Sequence, residues 1–109
     1  VVVQCEHIAA VEALESIVAV DGVDAVLVGP YDLSGSMGLL GQVDHPDVLA
    51  AIKRVAEVCN KAGRALGIFT AAPAKMKPFI AQGYTLVAVG VDVAALGDAA
   101  RATVKTLRG

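Results

Sequence analysis

Apolar runs alternate with amphipathic stretches four times along this chain. Val1–Glu6 is a short run rich in β-branched residues and predicts a strand. Ala9–Val20 carries Val11, Leu14, Ile17 and Val18 at helical spacing, and Gly22 is placed to cap that helix. Val23–Gly29 reads as a second strand. Tyr31–Val43, with Gly35, Gly38 and Gly41, reads as a long loop. Asp44-His45-Pro46 marks a helix start, because proline suits the first turn. The stripe Val48, Ile52, Val55 and Cys59 follows, and Gly63 ends the helix. Ala65–Thr70 predicts a third strand. A short helix over about Ala74–Gln82 is confined or kinked by Pro78. Thr85–Val91 predicts the fourth strand, and Leu96, Ala100, Val104 and Leu107 define a last helix.

The four strands read as continuous apolar runs, as strands covered by helices do. Crossovers between such strands are right-handed almost without exception. The expected fold is therefore α/β, with four βα units in one partial domain, 1–109. That is about half of a (β/α)8 barrel, which typically needs about 250 residues. A free four-stranded parallel sheet would leave two open edges, so the expectation is a fragment, or a half that pairs with another half.

Composition narrows the classes. The chain has 109 residues, 56% of them apolar, and a formal charge of −2. It is too apolar for disorder, yet has no unbroken run long enough to span a bilayer. Lysines and arginines are scattered, which argues against nucleic acid as a partner. No signal peptide is visible. The two cysteines, Cys5 and Cys59, have no CxxC partner and read as buried thiols in a reducing cytoplasm.

Candidate chemistry lies where the first two strands end. Side chains alternate along a strand, so Gln4 and Glu6 share one face and Cys5 takes the other. Asp32 lies three residues past Gly29, where the second strand runs out. Consecutive parallel strands deliver their C-terminal ends to one rim, the usual place for chemistry in α/β folds. Two carboxylates there, with no lysine or arginine beside them, suit a hard divalent cation, which takes one or two carboxylates plus waters and substrate. The absence of a Cys/His cluster argues against structural zinc. The same residues also fit plainer roles, Glu6 capping a helix and Asp32 opening a turn. The loop after Pro30 presents backbone N–H groups that could hold an anion.

The strand ending Gln4-Cys5-Glu6 and the loop Gly29-Pro30-Tyr31-Asp32-Leu33-Ser34-Gly35-Ser36-Met37-Gly38 together resemble the HpcH/HpaI aldolases, the metal-dependent class II pyruvate aldolases. The strands around Gly67-Ile68-Phe69 and Val87–Asp92 resemble that family's last two. The resemblance covers the whole chain but only the C-terminal half of the family's TIM barrel, βα units 5–8. It implies that Glu6 and Asp32 ligate Mg²⁺, Mn²⁺ or Co²⁺. It implies that Gln4 hydrogen-bonds the substrate and that the N–H groups of Tyr31 and Asp32 hold the pyruvate carboxylate. The implied reaction is reversible cleavage of a 4-hydroxy-2-oxo acid to pyruvate and an aldehyde. A Lewis-acid metal would stabilise the pyruvate enolate by several kcal/mol. No Schiff-base lysine is needed, and none of Lys53, Lys61, Lys75, Lys77 or Lys105 falls on a predicted strand.

Two departures stand out. The family's histidine base, its supporting acid and its arginine belong to the N-terminal half, so no catalytic residue is assigned here. His7 follows Glu6 where the family often has a small polar residue; it could line the site or reach the metal, and the preferred reading puts it behind the metal ligands or facing solvent. His45 is read as a helix-start residue. Tyr31 stands where a smaller residue is common, which would narrow the pocket. The citrate-lyase β and malyl-CoA lyase branch is a second reading, although no basic cluster offers a CoA site. A non-catalytic half barrel serving as an assembly module is a third. The apolar stripe of the last helix and the open sheet edges predict a homo-oligomer, and the resemblance implies one that is commonly a hexamer and acts on small molecules; the cysteines place it in the cytoplasm.

Overall fold

The computed structural model describes all residues, 1–109. Four strands, β1 (Val2–Cys5), β2 (Ala25–Val28), β3 (Ala65–Thr70) and β4 (Leu86–Val89), form one parallel sheet in the order β1-β2-β3-β4. Sequential order with no reversal is the order of a barrel wall, whereas a doubly wound sheet reverses at a switch point.

Register separates the two faces. Cys5, Val28, Ile68 and Val87 lie in one row across the sheet, and the first three are almost wholly buried. The neighbouring row, Gln4, Leu27, Gly67 and Leu86, belongs to the other face, where Gln4 and Leu86 are exposed. Gly67 keeps that row close: a Cβ there would lie 3.0 Å from the Leu27 side chain and 3.1 Å from that of Leu86.

The buried face is covered chiefly by α4 (Pro46–Ala62). Its stripe of Val48, Ile52, Val55 and Cys59 is buried as the spacing predicts. Pro46 opens this helix, the His45 Nδ1 accepts from Asp47 N–H as its cap, and Gly63 ends it at φ 65°. Tyr84 is buried beneath it, its hydroxyl 3.4 Å from the Ile52 carbonyl and its ring edge-on to Phe79.

Four expectations are corrected. The helix foreseen over Ala9–Val20 is two short ones, α1 (Ile8–Glu12) and α2 (Leu14–Val18), meeting at Ala13. There the Ser16 hydroxyl donates to the Ala13 carbonyl at 2.7 Å, which also accepts Ile17 N–H at 3.2 Å. Gly22 does not cap α2; Ala19 does, and Gly22 turns the chain at φ 87° three residues later. The supposed loop after β2 holds a helix, α3 (Pro30–Ser36), opened by Pro30. The segment around Pro78 is a 3₁₀ turn, Pro73–Met76, running into α5 (Lys77–Ala81), with Pro78 in that helix's first turn.

The last helix, α6 (Asp92–Arg108), buries none of its residues. Its apolar positions Leu96, Val104 and Leu107 are exposed, so the foreseen stripe exists and covers nothing within these 109 residues. No helix is long and apolar enough to cross a membrane.

Candidate active site

The rim at the C-terminal ends of β1 and β2 gathers the residues singled out in the sequence. Gln4 and Glu6 lie on the same side of the chain, and Gln4 Nε2 donates to Glu6 Oε2 at 2.9 Å. Cys5 points the opposite way and is 2% exposed. Burial first, and the Glu6 charge second, raise its thiol above the ordinary value of 9.0.

The Glu6 carboxylate is laid over Gly29, the residue just before α3. A Cβ on Gly29 would stand 2.9 Å from Glu6 Oε2 and 3.1 Å from Glu6 Cβ. A side chain on Gly29 would crowd Glu6 there. Glu6 therefore caps no helix; His7 caps α1, its Nδ1 accepting from Ala9 N–H at 3.1 Å. That bond directs Nδ1 toward the helix, and the ring is exposed to solvent. His45 likewise spends its Nδ1 on a cap.

Asp32 sits in the first turn of α3, not in a loop. The first helical carbonyl acceptor is that of Gly29, which takes Leu33 N–H at 2.9 Å. The N–H groups of Tyr31 and Asp32 precede it in the turn and have no backbone acceptor. Neither Glu6 nor Asp32 is in an ion pair. No group of three or more His, Cys, Asp or Glu side chains converges as a metal cage. Carboxylates at an open rim are the donor chemistry that a hard cation completed by water and substrate would take, and they do not suit structural zinc.

Two serines of the loop motif hold this arrangement, a role not foreseen in the sequence. Ser34 is fully buried; its hydroxyl donates to the Tyr31 carbonyl at 2.6 Å and accepts from Gly41 N–H at 3.0 Å. Ser36 donates to the Leu33 carbonyl at 2.7 Å and accepts from Ile8 N–H at 2.9 Å. Ser36 thus ties α3 to the start of α1, just after Glu6. The readable signals for α3 were Pro30 followed by an acidic residue in the first turn.

Known proteins share this framework. The family model described as HpcH/HpaI aldolase/citrate lyase matches residues 1–99. A hydroxypyruvate/pyruvate aldolase of Cupriavidus necator is 42% identical over 106 residues, 97% of this chain and 39% of that protein. A 4-hydroxy-2-oxo-heptane-1,7-dioate aldolase of Salmonella paratyphi B is 44% identical over 102 residues, 94% of this chain and 39% of that protein. The chain thus spans about two fifths of the length of these relatives. The crystal structure of an HpcH/HpaI aldolase from Desulfitobacterium hafniense superposes with a TM-score of 0.92 at 42% identity, covering 98% of this chain and 42% of that one. An HpcH/HpaI aldolase/citrate lyase family protein from Burkholderia cenocepacia gives 0.94 at 40%, covering 99% and 42%. With its barrel-order sheet, its rim carboxylates and a match over nearly all its length, this chain belongs to the HpcH/HpaI aldolase/citrate lyase family.

Proposed function

We propose that this chain forms the metal- and pyruvate-binding part of a class II aldolase. The enzyme would reversibly cleave a 4-hydroxy-2-oxo acid to pyruvate and an aldehyde. Family membership and relatives named as aldolases support the reaction class. The observation that carries the site is the Glu6 carboxylate seated over Gly29, beside the first turn of α3 that holds Asp32.

Glu6 and Asp32 are the metal ligands in this reading, for Mg²⁺, Mn²⁺ or Co²⁺. The metal supplies a Lewis acid that stabilises negative charge developing on the 2-oxo oxygen. Gln4 orients Glu6 through its amide and hydrogen-bonds the substrate. The N–H groups of Tyr31 and Asp32 receive the pyruvate carboxylate, with the positive end of α3 adding to the attraction. The proton-transferring base and the arginine come from outside these 109 residues. The chain then corresponds to βα units 5–8. A homo-oligomer belongs to the same reading, since α6 leaves its apolar side uncovered.

Mn²⁺ binding to the full-length protein, with and without pyruvate, tests this. The expected result is binding that pyruvate strengthens and that Asp32→Ala abolishes. Unchanged binding in a folded Asp32→Ala variant would remove Asp32 from the site.

A further inference from the structure

One cavity adjoins the candidate site without belonging to it. Its volume is about 300 Å³, and its walls include Tyr31, Val43, Leu49, Ile52, Phe69 and Phe79. Gln4, Glu6 and Asp32 do not line it. It begins at Pro30 and Tyr31, the first residues of α3. It therefore shares Tyr31 with the N–H groups assigned to the pyruvate carboxylate. Ile68 and Phe69, on opposite faces of β3, both line it, so it straddles the end of that strand at the rim.

Three features identify what it takes. Nine of its fourteen lining residues are hydrophobic. Its two charged groups, Asp44 and Lys75, are ion-paired with each other, so the lining carries no net charge. Its walls come from the second and third βα units, from α3, α4 and α5 around the end of β3. The Tyr31 ring rests against Gly41, where a Cβ would lie 3.6 Å from Tyr31 Cε2, and closes one side.

We propose that this cavity receives the carbon chain of the aldehyde partner, so that the enzyme prefers aldehydes with an apolar chain over short or hydroxylated ones. The proposal rests on the aldolase reading above. Pyruvate bound at the α3 N-terminus would present its reactive carbon at the rim, and an incoming aldehyde would leave its tail over Tyr31 and Phe69. A volume at the lower end for ligand pockets suits a chain of several carbons.

The test uses the full-length protein. Exchange of pyruvate methyl protons with D₂O reports pyruvate activation without any aldehyde. The ratio of kcat/KM for hexanal over acetaldehyde then reports the cavity, because losses common to both aldehydes cancel. Leu49→Phe fills the cavity from α4 and Ala71→Leu fills it from the β3 side; Leu49 and Ala71 are both surface-accessible. Each is expected to lower the ratio by about tenfold or more, the scale of crowding in an apolar pocket. Wild-type exchange with a ratio unmoved in both variants overturns the cavity assignment alone. No exchange in the wild type overturns the aldolase reading, and this proposal with it.

Discussion

Gly29 shows how one missing side chain can set a site. Its absent Cβ is the space that the Glu6 carboxylate occupies. Gly29→Ala would therefore push Glu6 aside while leaving the buried sheet face intact. Expected is a fall in Mn²⁺ affinity of about tenfold or more, in the range seen when metal ligands lose their support, with an unchanged circular dichroism spectrum. An affinity equal to wild type would show that Glu6 does not depend on this cradle. That Glu6 and Asp32 follow strand ends was readable from the sequence. The cradle, and the two serines that fasten α3, were not, because their roles arise from contacts between residues such as Ser36 and Ile8.

At the scale of the elements, α4 carried the clearest signal and α3 the weakest. In α4 the proline, the cap and the buried stripe agree, and the helix appears where they place it. Replacing His45 by Ala removes the hydrogen bond to Asp47 N–H and should cost about 1 kcal/mol in urea denaturation, as capping losses do; an Asn there should restore most of it. In β3, Leu66 is 1% exposed. Leu66→Ala should destabilise by about 2–5 kcal/mol in the same assay. α3 was hidden because its glycine-rich composition reads as loop. Pro30 and the buried Leu33 and Ser34 overcome that weak propensity by packing.

Across the whole molecule, the core carries groups whose neutral form is favoured by folding. Burial, with a smaller contribution from Cys5, pushes the Cys59 thiol from 9.0 up to about 11. Burial, with a smaller contribution from Cys59, pushes the Tyr84 hydroxyl from 10.0 up to about 12. Both values are raised on folding, so the unfolded chain loses these protons first. Their stabilising contribution is full below pH 9.0, declines as pH rises, and is gone above about 12. Unfolding free energy should thus fall with pH over that window, and a Cys59→Ala, Tyr84→Phe double variant should show a flatter slope. An equal slope in the two proteins would mean that other groups drive the alkaline loss.

The sequence by itself determined the alternation of strands and helices, the buried stripe of α4 and the position of two carboxylates at strand ends. These follow from local periodicity, which depends only on neighbours along the chain. Its loop motif further pointed to the family. Tertiary structure alone decided that Ser36 ties α3 to α1, that Glu6 rests on Gly29 and that a cavity opens behind Tyr31. Each depends on residues far apart in sequence meeting across the sheet or between helices, where side-chain volume and hydrogen-bond partners decide which local preference prevails.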